Sequence, residues 1–174
     1  ATGENAGTWG TKTNTNLEII EQISGGYKVQ TLNTAGAGAN TTTLSKSDGA
    51  TGATVATRVI ILGAVSPETI SGAKIVTLPV LTENFYIIKN STSGAYTVQL
   101  KAASGSGATV TWATTDKGWK IVYFDGVATN TGVYDIFTAS SGITLSNNNA
   151  LLFNDADNSA AVGFKAPTTV SGAV

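Results

Sequence analysis

A chain of 174 residues is one medium domain, or one domain with appendages, and is long enough to bury a core without staples. It is 41% hydrophobic but only 12% charged, where ordinary globular chains are roughly a quarter charged. The net charge of −1 lacks the basic footprint of a nucleic-acid partner, and no apolar run approaches the roughly 20 residues that cross a membrane as a helix.

Thr, Ser, Asn and Gly carry the polarity, which favours strands and turns over helices. The absence of Cys and His removes disulfides, thiolate metal sites and the commonest general base. No signal-peptide pattern opens the chain. There is no Met either, and Ala1-Thr2 fits a start left by initiator trimming.

Residues 1–16 show no periodicity, and Trp9 is their only large apolar group. It is a candidate anchor of a docking arm, because interface anchors are enriched in Trp. Leu17 to Ile23 predicts a two-turn helix with Leu17, Ile20 and Ile23 on one face. Thr15 and Glu18 fit a capping box, and Gly25-Gly26 a stop. So short a helix must pack on its own domain or on a neighbouring subunit.

Tyr27 to Leu32 reads as a strand, followed by a low-complexity run from Asn33 to Thr57 in which Asp48-Gly49 suits a hairpin turn. Strand signals return in 58–62, 73–78, 85–90, 96–101, 108–112, 119–124 and 133–137, giving about eight strands in all. Alternation places Tyr96, Val98 and Leu100 inward, and Trp119, Ile121 and Tyr123 likewise. The expected fold is all-β, an antiparallel β-sandwich of jelly-roll type. Its expected boundaries are an arm with helix (1–26), the sandwich (27–141) and a distinct C-terminal part (142–174).

From Gly142 onward short apolar segments alternate with Asn/Asp turns. Strands of two or three apolar residues bury too little to stand alone, so identical strands from other chains are expected to complete their core. Leu151, Phe153, Val162 and Phe164 are the candidate residues of that shared core. The pattern is unfinished at Val174, and the chain is expected to be the start of a longer polypeptide.

Three stretches resemble bacteriophage tail-fibre and related virion structural proteins. GTWGTKTNTNL (Gly7–Leu17) is similar to an opening of fibre segments. YIIKN (Tyr86–Asn90), a Gly loop and IVYFDG (Ile121–Gly126) are similar to a recurring β-rich fibre module, which departs here in having residues 127–132 after the Asp125-Gly126 turn. AVGFKAP (Ala161–Pro167) is similar to a shaft element. The resemblance implies a homotrimeric virion component of the tail, assembled in the host bacterial cytoplasm. Its N-terminal part would attach to other tail or virion proteins and its distal part would meet the host surface. Trp9, Leu17, Ile20 and Ile23 are then the docking or assembly residues, and 142–174 opens an intertwined trimeric shaft. A capsid-attached fibre or decoration protein is a neighbouring alternative.

Catalysis is not expected. Glu68, Glu83, Asp116, Asp125 and Asp135 are the acids from which a glycosidase pair would have to come, yet Asp116 and Asp125 read as turn residues and Asp135 as a strand-surface charge. The Asn154–Asn158 cluster lacks the Gly and Glu of a calcium loop and reads as an Asx turn. Gly36–Gly38 and Gly105–Gly107 lack the remainder of a phosphate loop. No cofactor or metal is expected. Lys89, Lys101, Lys117 and Lys120 read as protection of a solvated sheet edge. The remaining alternative is a carbohydrate-binding sandwich that contacts host glycans directly through Trp112 and Trp119, against the reading of both rings as core.

Overall fold

The structure, a computed structural model, describes residues 7–32, 40–47, 50–64 and 66–139, together with the backbone of strands 151–154 and 161–164. The chain divides into two units, Ala1–Ala139 and Ser140–Val174. In the first, helix α1 (Trp9–Gly25) precedes β1 (Tyr27–Gln30), β2 (Asn40–Thr43), a 3-10 turn (Thr54–Ala56) and β3 (Val59–Leu62). Then follow β4 (Glu68–Thr69), β5 (Lys74–Leu78), β6 (Glu83–Asn90), β7 (Thr92–Ser93) and β8 (Val98–Ala102). The unit closes with β9 (Val110–Trp112), β10 (Gly118–Asp125), β11 (Val133–Asp135) and the short helix α2 (Ile136–Ala139).

The protein is β-rich as expected, but its sheets are mixed rather than antiparallel. A five-stranded sheet has the order β1-β3-β6-β10-β11, a four-stranded sheet the order β2-β5-β8-β9, and β4 pairs with β7. The ladders β1/β3, β3/β6, β2/β5, β5/β8 and β4/β7 are all parallel. A parallel neighbour cannot be reached by a hairpin. Here the chain reaches it by crossing to the opposite sheet and returning. Three coils result: β1 and β2, then β3 to β5, then β6 to β8. The antiparallel strands β9, β10 and β11 close the third coil.

The coils are fastened at their corners. Leu32 N donates to Glu68 Oε2 of the next coil at 2.9 Å. Asn90 is buried, and its Oδ1 accepts from Thr92 N at 3.1 Å and from Thr92 Oγ1 at 2.7 Å. Gly94 has φ +96, and a Cβ there would lie 2.6 Å from Ile70 O in the preceding coil. Only glycine allows that approach without strain.

One core joins the two main sheets. Ile60, Leu62, Tyr86, Ile88, Val122 and Phe124 meet Val76, Leu78, Val98, Leu100, Val110 and Trp112. Tyr86 and Phe124 pack edge to face at 5.8 Å, and Tyr86 OH donates to Val55 O at 2.9 Å. Trp112 is fully buried, with Nε1 donating to Gly118 O at 3.2 Å.

Several expectations are corrected. The helix is 17 residues long and starts at Trp9, so Thr15 lies inside it instead of capping it. Thr and Asn each cost well under about 1 kcal/mol in a helix, and no proline interrupts the run. Val98 and Leu100 face inward as expected, but Tyr96 precedes its strand and is exposed. In β10 the phase is reversed: Val122 and Phe124 point inward, while Trp119 and Tyr123 are exposed. Both faces of that strand carry large apolar groups, so alternation alone left its register open. Pairing with β6 sets it, with Val122 opposite the buried Tyr86. The strand expected over 133–137 ends at Asp135 and turns into α2.

In the second unit β12 (Leu151–Asn154) and β13 (Ala161–Phe164) form an antiparallel ribbon. The Asp48-Gly49 turn, Gly36–Gly38 and Asp155–Asn158 lie outside the described residues.

Candidate interaction surfaces

Helix α1 buries none of its residues. Thr15, Ile19 and Gln22 are half-buried and share one side, where Gln22 Oε1 accepts from Gly52 N at 2.8 Å. The four expected residues, Trp9, Leu17, Ile20 and Ile23, are all exposed, with Trp9 at 70%; Leu17 and Ile20 face away from that side, and Ile23 flanks it one turn after Ile19. The structure thus brings the docking candidates onto one helix with their side chains accessible.

A second surface was missed in the sequence. Register partners share a face of a sheet, so the outer face of the five-stranded sheet follows from its ladders. Phe85, Tyr123 and Tyr134 form one row across β6, β10 and β11. Tyr27, Val59, Ile87 and Ile121 form the next, across four strands. Val29, Ile61, Lys89 and Trp119 form the third. Ten of these eleven side chains are aromatic or aliphatic. Tyr27 is 66% exposed and Trp119 56%; Phe85, Tyr123 and Tyr134 are exposed too.

The polar groups of this face are already engaged. Arg58 lies 4.7 Å over the Phe85 ring and hydrogen-bonds Asn84 Oδ1. Lys89 Nζ lies 5.5 Å from the Trp119 ring centre. Tyr123 OH donates to Glu83 Oε1 and Tyr134 OH to Asp125 Oδ2, each at 3.3 Å. The outer face of the four-stranded sheet differs. Its rows are Thr41, Ile75, Gln99 and Thr111, then Thr43, Thr77 and Lys101, a polar surface of the kind that faces water.

The other expected sites separate. Trp112 is buried, so it has no place in an exposed glycan platform; Trp119 alone is accessible. The four lysines do not gather. Lys89 sits on the aromatic face and Lys101 on the polar one, and Lys117 donates to Thr92 Oγ1 and Tyr96 O. Lys120 turns inward and pairs with Asp135 Oδ2 at 3.1 Å and Asp116 Oδ2 at 3.2 Å. Asp135 is therefore a buried partner and not a surface charge.

Burial pushes the Lys120 amino group down, but hydrogen bonds and charge from Asp135 and Asp116 outweigh it and hold it above its ordinary value. The two carboxylates converge on one cation, a structural bridge between β10 and β11. Lys120, Asp135, Val110 and Val133 line a cavity of about 280 Å³ at the mouth between edge strands β9 and β11.

Asp125 organises the extra loop after β10. Its Oδ1 accepts from Val127 N at 3.0 Å and Gly132 N at 2.8 Å, and those backbone donors hold its carboxyl below the ordinary value. The hairpin still closes, with Phe124 opposite Val133. In the second unit Leu151 pairs with Phe164, and Phe153 with Val162.

Comparison with protein-family models, curated proteins and solved structures finds no match.

Proposed function

We propose that this chain is a structural and interaction protein of a bacteriophage particle: the virion-proximal segment of a tail fibre, working as a homotrimer. The observation that carries the assembly role is α1, a 17-residue helix with no buried residue and with Trp9, Leu17, Ile20 and Ile23 exposed together. Isolated helices of this length are marginal in water, so such a stripe calls for a partner. The three resembling stretches supply the phage context.

In this reading α1 docks on other tail or virion proteins. The two main sheets form a rigid sandwich-like spacer. Residues 142–174, with Leu151, Phe153, Val162 and Phe164, begin an intertwined trimeric shaft toward the host-binding parts. Native mass measurement tests it. A trimer that dissociates when the chain is cut before Gly142 is expected, and a stable monomer of the full chain overturns it. Removing residues 1–26 is expected to leave particles without the protein; particles that still carry it count against docking through α1.

A carbohydrate-binding role is the second reading, favoured by one observation, the exposure of Trp119 beside Lys89. It predicts that Trp119→Ala abolishes retention on immobilised glycans without altering the fold.

A further inference from the structure

We infer that the outer face of the five-stranded sheet is a contact between copies of this chain, turned toward their common axis and buried there against its neighbours. This deepens the assembly reading above, which places the contacts on α1 and on residues 142–174.

Area is the first argument. An aromatic side chain offers roughly 150–250 Å², so the exposed parts of Tyr27, Phe85, Trp119, Tyr123 and Tyr134 present on the order of 500 Å². The half-buried aliphatic groups between them extend the patch. Monomeric proteins rarely expose an apolar patch beyond roughly 300–600 Å², and a stable complex hides about 800 Å² per partner. The rings alone stand toward the upper end of what a lone chain shows, and with the aliphatic groups between them the face approaches the size of an interface.

Charge is the second argument. The cations at this face, Arg58 and Lys89, are already stacked on its own rings. Glu83 and Asp125 lean on its phenols, and the middle row (Tyr27, Val59, Ile87 and Ile121) carries no charge, so the patch suits an equally apolar surface better than a charged one. Other copies supply that apolar surface, and a closed cyclic assembly brings the equivalent face of every copy to the same axis. A glycan fits less well: the Tyr123 and Tyr134 hydroxyls are committed to Glu83 and Asp125, and aliphatic groups offer sugar hydroxyls nothing. The polar outer face of the four-stranded sheet serves as an internal control, because it shows how this chain builds a face meant for water.

The test uses the full 174-residue chain in light scattering over a range of concentrations. Ile121→Lys and, separately, Trp119→Ser are expected to weaken association roughly 30-fold or more, as loss of a central anchor does. Gln99→Lys on the polar face is expected to leave it unchanged. Because the chain has no Cys, a spin label at Ile121→Cys reports the face directly. A short distance between copies is expected there, and a long one from Gln99→Cys. A long distance at both labels overturns the inference even where Ile121→Lys fails to fold. A wild type that assembles, tolerates Ile121→Lys and is dispersed by Ile20→Lys also overturns it, while leaving the assembly reading intact. A monomeric wild type overturns both. Glycan binding lost on Trp119→Ser, with association unchanged, assigns the face to sugar instead.

Discussion

Trp112 and Trp119 lie seven positions apart and do opposite work. Trp112 fills the core between the sheets, and Trp119 stands on the outer surface. Trp112→Ala is expected to cost about 3–5 kcal/mol, as aromatic truncations in cores do. Trp119→Ala in the dissociated chain should stay within about 0.5 kcal/mol, the range of surface changes. Urea unfolding of the two variants at low protein concentration compares them. Lys74 presents a different problem. It is 1% exposed, lies in phase with the inward Val76 and Leu78, and its Nζ has no hydrogen-bond partner among the described residues. A buried polar group without a partner costs about 1–3 kcal/mol, so Lys74→Met is expected to raise stability by an amount of that order in the same assay. Lys120 adds a pH dependence. Its amino group titrates above the ordinary lysine value of 10.5 because two carboxylates hold it. The contribution to stability is therefore complete below the unfolded value and is lost as pH rises through the folded one. Asp135→Asn should remove most of that alkaline loss, as followed by unfolding at a series of pH values.

At the scale of elements, most strands were legible and their partners were not; β2 lies in the stretch read as a low-complexity run, and β4 and β7 gave no signal. β3, β5, β6, β8, β9 and β10 all lie within or beside the runs marked by β-branched and aromatic residues. The inward phase of β8 followed from simple alternation of Val98 and Leu100 with Gln99 and Lys101. Alternation reports which side a residue faces; it is silent on which strand lies alongside. Nothing local in Val59–Leu62 or Lys74–Leu78 distinguishes a parallel neighbour from an antiparallel one, so the coiled path was invisible. The docking stripe on α1 was legible because Leu17, Ile20 and Ile23 repeat at helical spacing, while the aromatic face was not. It is assembled from five strands, and in β10 its residues were taken for the core. Stability should differ among these elements as well. α1 buries no residue, whereas β6 and β10 lie inside the five-stranded sheet. In the dissociated chain, amide hydrogens of α1 are expected to exchange well before those of β6 and β10 in native-state exchange measurements. The corners are specific too. Gly94→Ala places a methyl against Ile70 O at a positive φ, and a loss of about 1–3 kcal/mol is expected in thermal or denaturant unfolding.

At the scale of the whole first unit, its two broad outer surfaces differ in kind: one is dressed in threonine and glutamine, the other in rings and branched aliphatics. If the second is covered by neighbouring copies, the thermal midpoint must depend on protein concentration, because assembly stabilises only the folded chain. A midpoint that falls across a dilution series in calorimetry is expected, and Ile121→Lys should flatten that fall. The coiled path has a separate consequence, for length. Each coil pairs only with the coil before and after it, and Val59 stands in register with Ile87. Residues 59–86 are therefore a module that begins and ends at equivalent points. A second copy of that segment, placed directly after Tyr86, repeats the β3 and β5 ladders, and the body should grow by one strand spacing, about 4.8 Å. The unit is in this sense a ruler, whose reach is changed by counting turns without redesigning either end.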